Sequence, residues 1–346
     1  MKFYKIIFIL IVFFKTETLF SKNEWFNVNN IQLEKNNKTT NKAISDLAIK
    51  KGFYQLTSKI LLKKDSEKLS DLNFEVIKQL VTYYQITNIP NKKNNVELLN
   101  FNITFDKNKI HNLFYKKGIL YSEITNNELY VLPVIIRNDE VFIFNKNYFY
   151  KNWNKFHKDD LIEFILPLEN IEIIKTINDN KNNLVNLNIT KLFQDFSNKN
   201  LALIIIEDNK NNEKVYIKTI IEQKKISKNL VLQIKSQDKL KFYEKIISET
   251  KKELTNLVKS TNLIDIRTPS FLNIKLVFNK KNNLVELNSR IKNIESIENI
   301  YVQEFNKNYM DLRIKYLGKL SKLTSELKKE NINLELINDQ WFIKNL

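Results

Sequence analysis

Several residue types that carry chemistry are missing or scarce in this sequence. There is no cysteine, and only three glycines, two histidines and four prolines occur in 346 residues. Without a thiol there is no disulfide, no thiolate metal site, no cysteine nucleophile and no lipid-modified cysteine anchor. With only Gly52, Gly118 and Gly318 available, a glycine-rich loop cradling phosphates is excluded. The histidines, His111 and His157, lie far apart and cannot form a helical zinc pair. His157-Lys158-Asp159-Asp160 does gather an imidazole with two carboxylates, but it reads as a solvated turn capping the next element. No serine occupies a nucleophile elbow. Glu207 and Asp208 follow an apolar run, at the strand edge where α/β proteins often place ligands; they read as the hydrophilic end of that strand. The expectation is therefore no catalytic residue, no metal and no cofactor. A carboxylate pair assembled by the fold stays open, because spacing does not reveal such pairs.

Arginine is scarce too. Of the 56 basic residues all are lysine except Arg137, Arg267, Arg290 and Arg313, although the net charge is +17. Proteins that read phosphates and bases favour the planar arginine fork. Here the lysines are spread along the chain among Asp and Glu, and asparagine and isoleucine are abundant as well. This is the composition of an AT-rich genome and argues against sequence-specific nucleic-acid binding. A general attraction to anionic cell-wall or membrane surfaces fits the charge.

What is present begins with an export signal. Lys2 and Lys5 precede nine apolar residues, 6–14, and a polar stretch then leads to Ser21. A run of nine is far short of the twenty or so residues needed to span a bilayer, but it suits a signal core. Residues 1–21 read as a signal peptide cleaved after Ser21, and the chain as periplasmic.

Hydrophobic periodicity divides the remainder into three. Residues 22–156 form an α+β unit with a capped helix from Thr40, a hairpin over 83–105 and a helix over 107–117 stopped by Gly118. Residues 157–262 form a small sheet covered by helices. In it, 201–206 is apolar enough for a central strand, 189–196 reads as a helix, and 239–259 as a long one. Residues 263–346 follow the order β-α-β-β-α-β, the ferredoxin-like plait. A faint echo relates 98–134 to 310–343, each reading strand, helix, strand. The fold class expected is thus α+β / α/β, multi-domain.

Two prolines, Pro133 and Pro167, frame an aromatic stretch within 129–170. Phe142, Phe144, Phe149 and Trp153 read as a plug in the seam between the first two domains. Tyr148, Phe149, Trp153, His157 and, near the C-terminus, Trp341 are the residues expected at a domain seam or an interaction surface.

Taken together, short patterns resemble a known family. They are Ala43, Ala48 and Gly52 before Leu56, then Phe101-Asn102-Ile103-Thr104-Phe105-Asp106 leading to Gly118. Leu132-Pro133-Val134, Asn147 with Trp153, and Phe164-Ile165-Leu166-Pro167-Leu168 before Glu169 follow. Tyr316-Leu317-Gly318 and Trp341 complete the set. The chain resembles the exported bacterial proteins of domain-of-unknown-function family 2066, in its alphaproteobacterial form. That resemblance implies an envelope location and carries no catalytic residues. The function expected is a non-enzymatic interaction or assembly-support protein with envelope protein partners. A module for anionic wall or membrane surfaces ranks second, and a hydrolase with a fold-assembled carboxylate pair third.

Overall fold

The computed structural model describes residues 24–35, 39–89, 97–124, 127–155, 161–208, 212–233, 238–278 and 284–344. Residues 1–21, read above as a signal peptide, and His157 with its neighbours lie outside these residues. The fold is mixed α/β, built on several small sheets. It divides into two units, one formed by Met1–Glu123 with Leu263–Leu346 and one by Ile124–Asn262. A boundary after residue 156 is not what the structure shows. The chain leaves the first unit at Glu123 and returns to it at Leu263.

The first unit opens with strand β1 (Asn27–Lys35) and helix α1 (Asn41–Ile60). The Thr40 side chain accepts a hydrogen bond from the Ala43 amide, so one otherwise orphaned helix donor is satisfied. Ile44, Ala48, Gly52, Leu56 and Ile60 bury one stripe of α1. At Gly52 a Cβ would stand 3.0 Å from the tips of both Ile31 and Ile103, so the helix seats directly on the sheet because nothing projects there. Two short helices, α2 (Lys63–Glu67) and α3 (Phe74–Gln79), lead to the hairpin strands β2 (Val81–Ile89) and β3 (Glu97–Phe105). The sheet order is β1-β3-β2, antiparallel throughout. Strand β3 alternates, with Leu99, Phe101, Ile103 and Phe105 buried, as a half-covered strand should. Helix α4 (Lys107–Lys117) starts on the Asp106 cap and ends at Gly118, which adopts the left-handed conformation with φ 60°. The short strand β4 (Tyr121–Ser122) follows.

The second unit holds β5 (Glu128–Arg137), β6 (Glu140–Phe142), helix α5 (Tyr148–Asn152), β7 (Glu163–Ile165) and helix α6 (Ile171–Asp179). Next come β8 (Asn200–Glu207), β9 (Asn212–Ile221), β10 (Lys224–Gln233) and helix α7 (Lys239–Thr261). The strand order is β10-β9-β8-β5-β6, with β7 also on β5. The apolar run 201–206 is central and buried, as expected. Its partner is β5, in parallel register from Leu129↔Asn200 to Ile136↔Glu207. This pairing places the aromatic stretch after β5 in the second unit. Residues 181–196 form 3-10 turns where a helix was expected over 189–196; at Phe193 the backbone is extended in φ, at −131°, and interrupts the coil.

On returning, β11 (Leu263–Ile264) pairs with β4. Then follow β12 (Ser270–Val277), α8 (Leu284–Ile291), β13 (Ile297–Phe305), β14 (Tyr309–Tyr316), α9 (Leu320–Lys329), β15 (Asn333–Ile337) and β16 (Gln340–Lys344). The sheet order is β13-β14-β12-β16-β15. The last strand, from Leu334, which the sequence left to continue or turn through Trp341 to Ile343, turns and forms a hairpin. Asn338 and Asp339, both at positive φ, form its turn, and β16 inserts beside β12 in parallel register.

The two halves of the first unit repeat one pattern. β1-α1-β2-β3-α4 and β12-α8-β13-β14-α9 share the strand orders β2-β3-β1 and β13-β14-β12, antiparallel in both. The sequence echo at 98–134 and 310–343 holds for β3-α4 against β14-α9. It fails beyond, where β5 joins the other unit's sheet.

Candidate functional site

The aromatic stretch is interior. Phe144, Phe149 and Trp153 are buried. Tyr148 and Phe149 set their rings against Tyr243 of α7 at centroid distances of 5.2 and 4.9 Å, and Trp153 stands edge-on to Phe164. Buried Asn147 pins the segment. Its Nδ2 donates to the Pro133 and Phe142 carbonyls at 2.9 and 3.1 Å, and its Oδ1 accepts from the Phe149 amide at 2.8 Å. These residues belong to the second unit, whose sheet holds the strand that precedes them. Trp341 lies in the other unit, on β16 opposite Ile274, half-buried against the core of that sheet.

The carboxyl ends of the parallel strands β5 and β8 carry Arg137 and Asp208. The Asp208 side chain is only 4% exposed, and its Oδ2 accepts from Arg137 Nε at 2.6 Å, Tyr243 Oη at 2.7 Å and Lys239 Nζ at 3.1 Å. Arg137 Nη2 also donates to Tyr243 Oη at 3.0 Å. Burial pushes the Asp208 carboxyl up, but the hydrogen bonds from Tyr243, Arg137 and Lys239 outweigh it and hold the group below its usual range. Asp208 is thus a clasp tying α7 to the strand ends, and its oxygen is occupied. The sequence flagged Asp208 and missed its three partners. The one available signal was that Arg137, one of four arginines, ends an apolar run.

A second polar cluster joins the two halves of the first unit. Lys107 Nζ donates to the Glu295 carbonyl at 2.6 Å, Lys322 pairs with Glu123 and Glu326, and Glu326 Oε2 accepts from Ser296 Oγ at 2.5 Å. His111, 6% exposed, packs between Phe26 and Tyr121, and its Nε2 has no hydrogen-bond partner. Glu298 lies 3.9 Å from Nδ1, beyond hydrogen-bond reach. Burial, reinforced by the Lys107 charge, therefore dominates and pulls the imidazole pKa down to about 4. Among the described residues, no group of three or more His, Asp or Glu is placed to hold a metal ion.

Among the sheet edges left open are two strands equivalent in the repeat, β2 and β13. Each runs nine residues and pairs on one side only. In the register, Tyr84 and Ile86 stand opposite Ile103 and Phe101, on the apolar face that α1 covers, yet both are exposed. Val302 and Phe305 stand opposite the buried Leu312 and Met310 and are 59% and 63% exposed. In each half the apolar face therefore overhangs its helices by one strand. Proteins usually guard such edges with lysine, proline or a bulge. Both strands carry a register shift, but neither holds a single lysine, in a chain that is otherwise full of them. That omission was readable in the sequence; that the two strands are edges was not.

No protein-family model matches the chain, and no curated protein matches it.

Proposed function

We propose that this is an exported interaction protein of the bacterial cell envelope that takes up partner strands along β2 and β13. The observation that carries the reading is the pair of lysine-free edges whose apolar faces extend past their covering helices. A strand added to such an edge gains main-chain hydrogen bonds, and its alternate side chains meet Tyr84 and Ile86, or Val302 and Phe305. The two edges are equivalent in the repeat, so one protein offers two sites of the same kind.

Export rests on the Lys2 and Lys5 start and the nine apolar residues that follow. No helix among the described residues is long and apolar enough to cross a membrane. The family 2066 reading rests on the sequence patterns around Pro133, Asn147, Trp153 and Pro167. We read the C-terminal half as a ferredoxin-like plait whose last strand has become a hairpin, because the order β13-β14-β12-β16 keeps the plait's sequence of neighbours.

The test is photo-crosslinking in intact cells from positions Tyr84 and Val302, with exposed Lys245 of α7 as control. Discrete protein adducts are expected at one or both edge positions and not at Lys245. They should vanish with Ile86→Pro or Val302→Pro, which break an edge without touching the core. Adducts of equal yield at Lys245 would overturn the edge reading. Mass spectrometry of the envelope fraction should find a chain starting at Lys22; an intact Met1 chain confined to the cytoplasm would overturn export.

A further inference from the structure

Independently of the two edges, the second unit holds a concave surface that neither its packing nor the edge reading uses. A cavity of about 580 Å³ lies beneath the loop from β7 to α6, within the range of about 300–1,000 Å³ typical of ligand pockets. Its bed is apolar, formed by Tyr130, Ile173, Leu192 and Phe193, with Phe196 stacked on Tyr130 at a centroid distance of 4.2 Å.

The loop above it is held rigidly. Tyr150 Oη donates to the Pro167 carbonyl at 2.7 Å and Asn145 Nδ2 donates to Glu169 Oε2 at 2.7 Å. Asn170 Oδ1 accepts from the Glu172 amide, also at 2.7 Å, capping α6. Pro167 fixes its own φ. So fastened, the loop and the first residue of α6 still hold two large aliphatic side chains out in water, Leu168 of the cavity lining at 85% exposure and Ile171 at 82%. Each forgoes the gain of burial that a looser loop would recover by folding over. Two aliphatic prongs on a fixed loop, beside an apolar bed, make a surface ready to be covered.

The rim identifies the cover. Glu169, Glu172 and Asp195 line the cavity with a single cation, Lys191. The local charge is opposite in sign to that of a chain carrying +17. A fatty acid or another anionic ligand would be repelled by these exposed carboxylates, while a cation beside apolar groups meets both partners it needs. We infer that this cavity docks an extended segment of a partner protein in which lysine or arginine alternates with aliphatic residues.

Isothermal titration of the full chain with a short capped peptide of alternating lysine and leucine tests this directly. The whole protein is strongly positive and repels such a peptide unless a local acidic site takes it. Binding at one site is expected, weakening by about tenfold in Leu168→Ser/Ile171→Ser and lost in Glu172→Lys/Asp195→Lys. Leu168→Ser/Ile171→Ser should not shift the melting temperature, because the prongs are exposed; Glu172→Lys puts a cation in the first turn of α6, so circular dichroism checks that the charge-reversed pair is folded at the titration temperature. Four results would overturn the inference. They are no binding, unchanged affinity in Leu168→Ser/Ile171→Ser, equal binding of a lysine–serine peptide, or equal binding of a glutamate–leucine peptide. Sedimentation showing a dimer that Leu168→Ser/Ile171→Ser dissociates would assign the surface to a second copy, and would overturn it too.

Discussion

Replacing His111 by phenylalanine should remove a defined part of the protein's acid sensitivity. His111 is 6% exposed among Phe26 and Tyr121, and burial holds its pKa near about 4 against an ordinary 6.5. Because the native value lies below the unfolded one, the unfolded chain takes up the proton first. The stability contributed by keeping the imidazole neutral is complete above about pH 6.5, falls as the pH drops toward about 4, and levels off below that. At about 1.4 kcal/mol per pKa unit, roughly 2.5 kcal/mol is lost between about pH 7.5 and 4.5. Phenylalanine cannot be protonated, fills much the same slot, and removes an Nε2 that has no partner. At neutral pH the substitution should therefore change stability by no more than about 1.5 kcal/mol. The assay is urea-dependent hydrogen exchange of amides in α4, for both proteins at both pH values. Carboxylates that titrate in the same window contribute to both and cancel in the double difference. Wild type should lose about 2.5 kcal/mol more than His111→Phe on acidification; an equal loss would refute the burial argument.

Four further outcomes follow from the packing. Asp208→Asn should destabilise the second unit by about 1–3 kcal/mol in chemical denaturation, toward the lower end because Arg137 and Lys239 are half exposed and can rehydrate. Tyr243→Phe should cost about 1 kcal/mol in the same assay. Burial pulls the Lys259 ammonium down to about 8, so the native state loses stability as pH falls from the unfolded value of 10.5 toward 8 and stays low below that. Lys259→Met should accordingly raise stability by about 1–3 kcal/mol at pH 7, an advantage that disappears above about pH 10.5. Gly118→Ala places a side chain at φ 60° with its Cβ 3.3 Å from Arg267 Nη1, and should lower the melting free energy of the first unit by about 1 kcal/mol.

Local structure was legible in the residues because its causes are local. Asp106 and Gly118 bracket α4 as cap and stop, Thr40 starts α1, and the apolar run 201–206 announced a strand covered on both faces. Pairing was less legible, because a strand's neighbours are chosen by the whole fold. Nothing between Leu129 and Ile136 says that its partner lies at 200–207, and that pairing is what assigns the aromatic stretch to the second unit. The terminal hairpin was only half legible for a similar reason: Asn338 and Asp339 signal a turn, but which strand of the hairpin inserts beside β12 is decided in three dimensions. At the sites, Asp208 was visible as a polar end to an apolar run, while Tyr243 and Lys239 approach from a helix distant in sequence. Leu168 and Ile171 flank Pro167 and Asn170 plainly enough, but that they are held in water is a property of Tyr150 and Asn145, which fasten the loop from below.

The pairing of β4 with β11 sets a timetable for synthesis. Ser122 and Leu263 are register partners, so the whole second unit is spun out between two halves of one two-rung clasp. A chain made from its N-terminus has every residue of the second unit in hand before the first unit possesses β12 to β16, and domains tend to fold as units during synthesis. The inserted unit can therefore mature while the first unit still lacks Glu295 and Lys322, the partners of Lys107 and Glu123. Joining Ser122 to Leu263 directly would remove that wait and convert the first unit into a continuous chain.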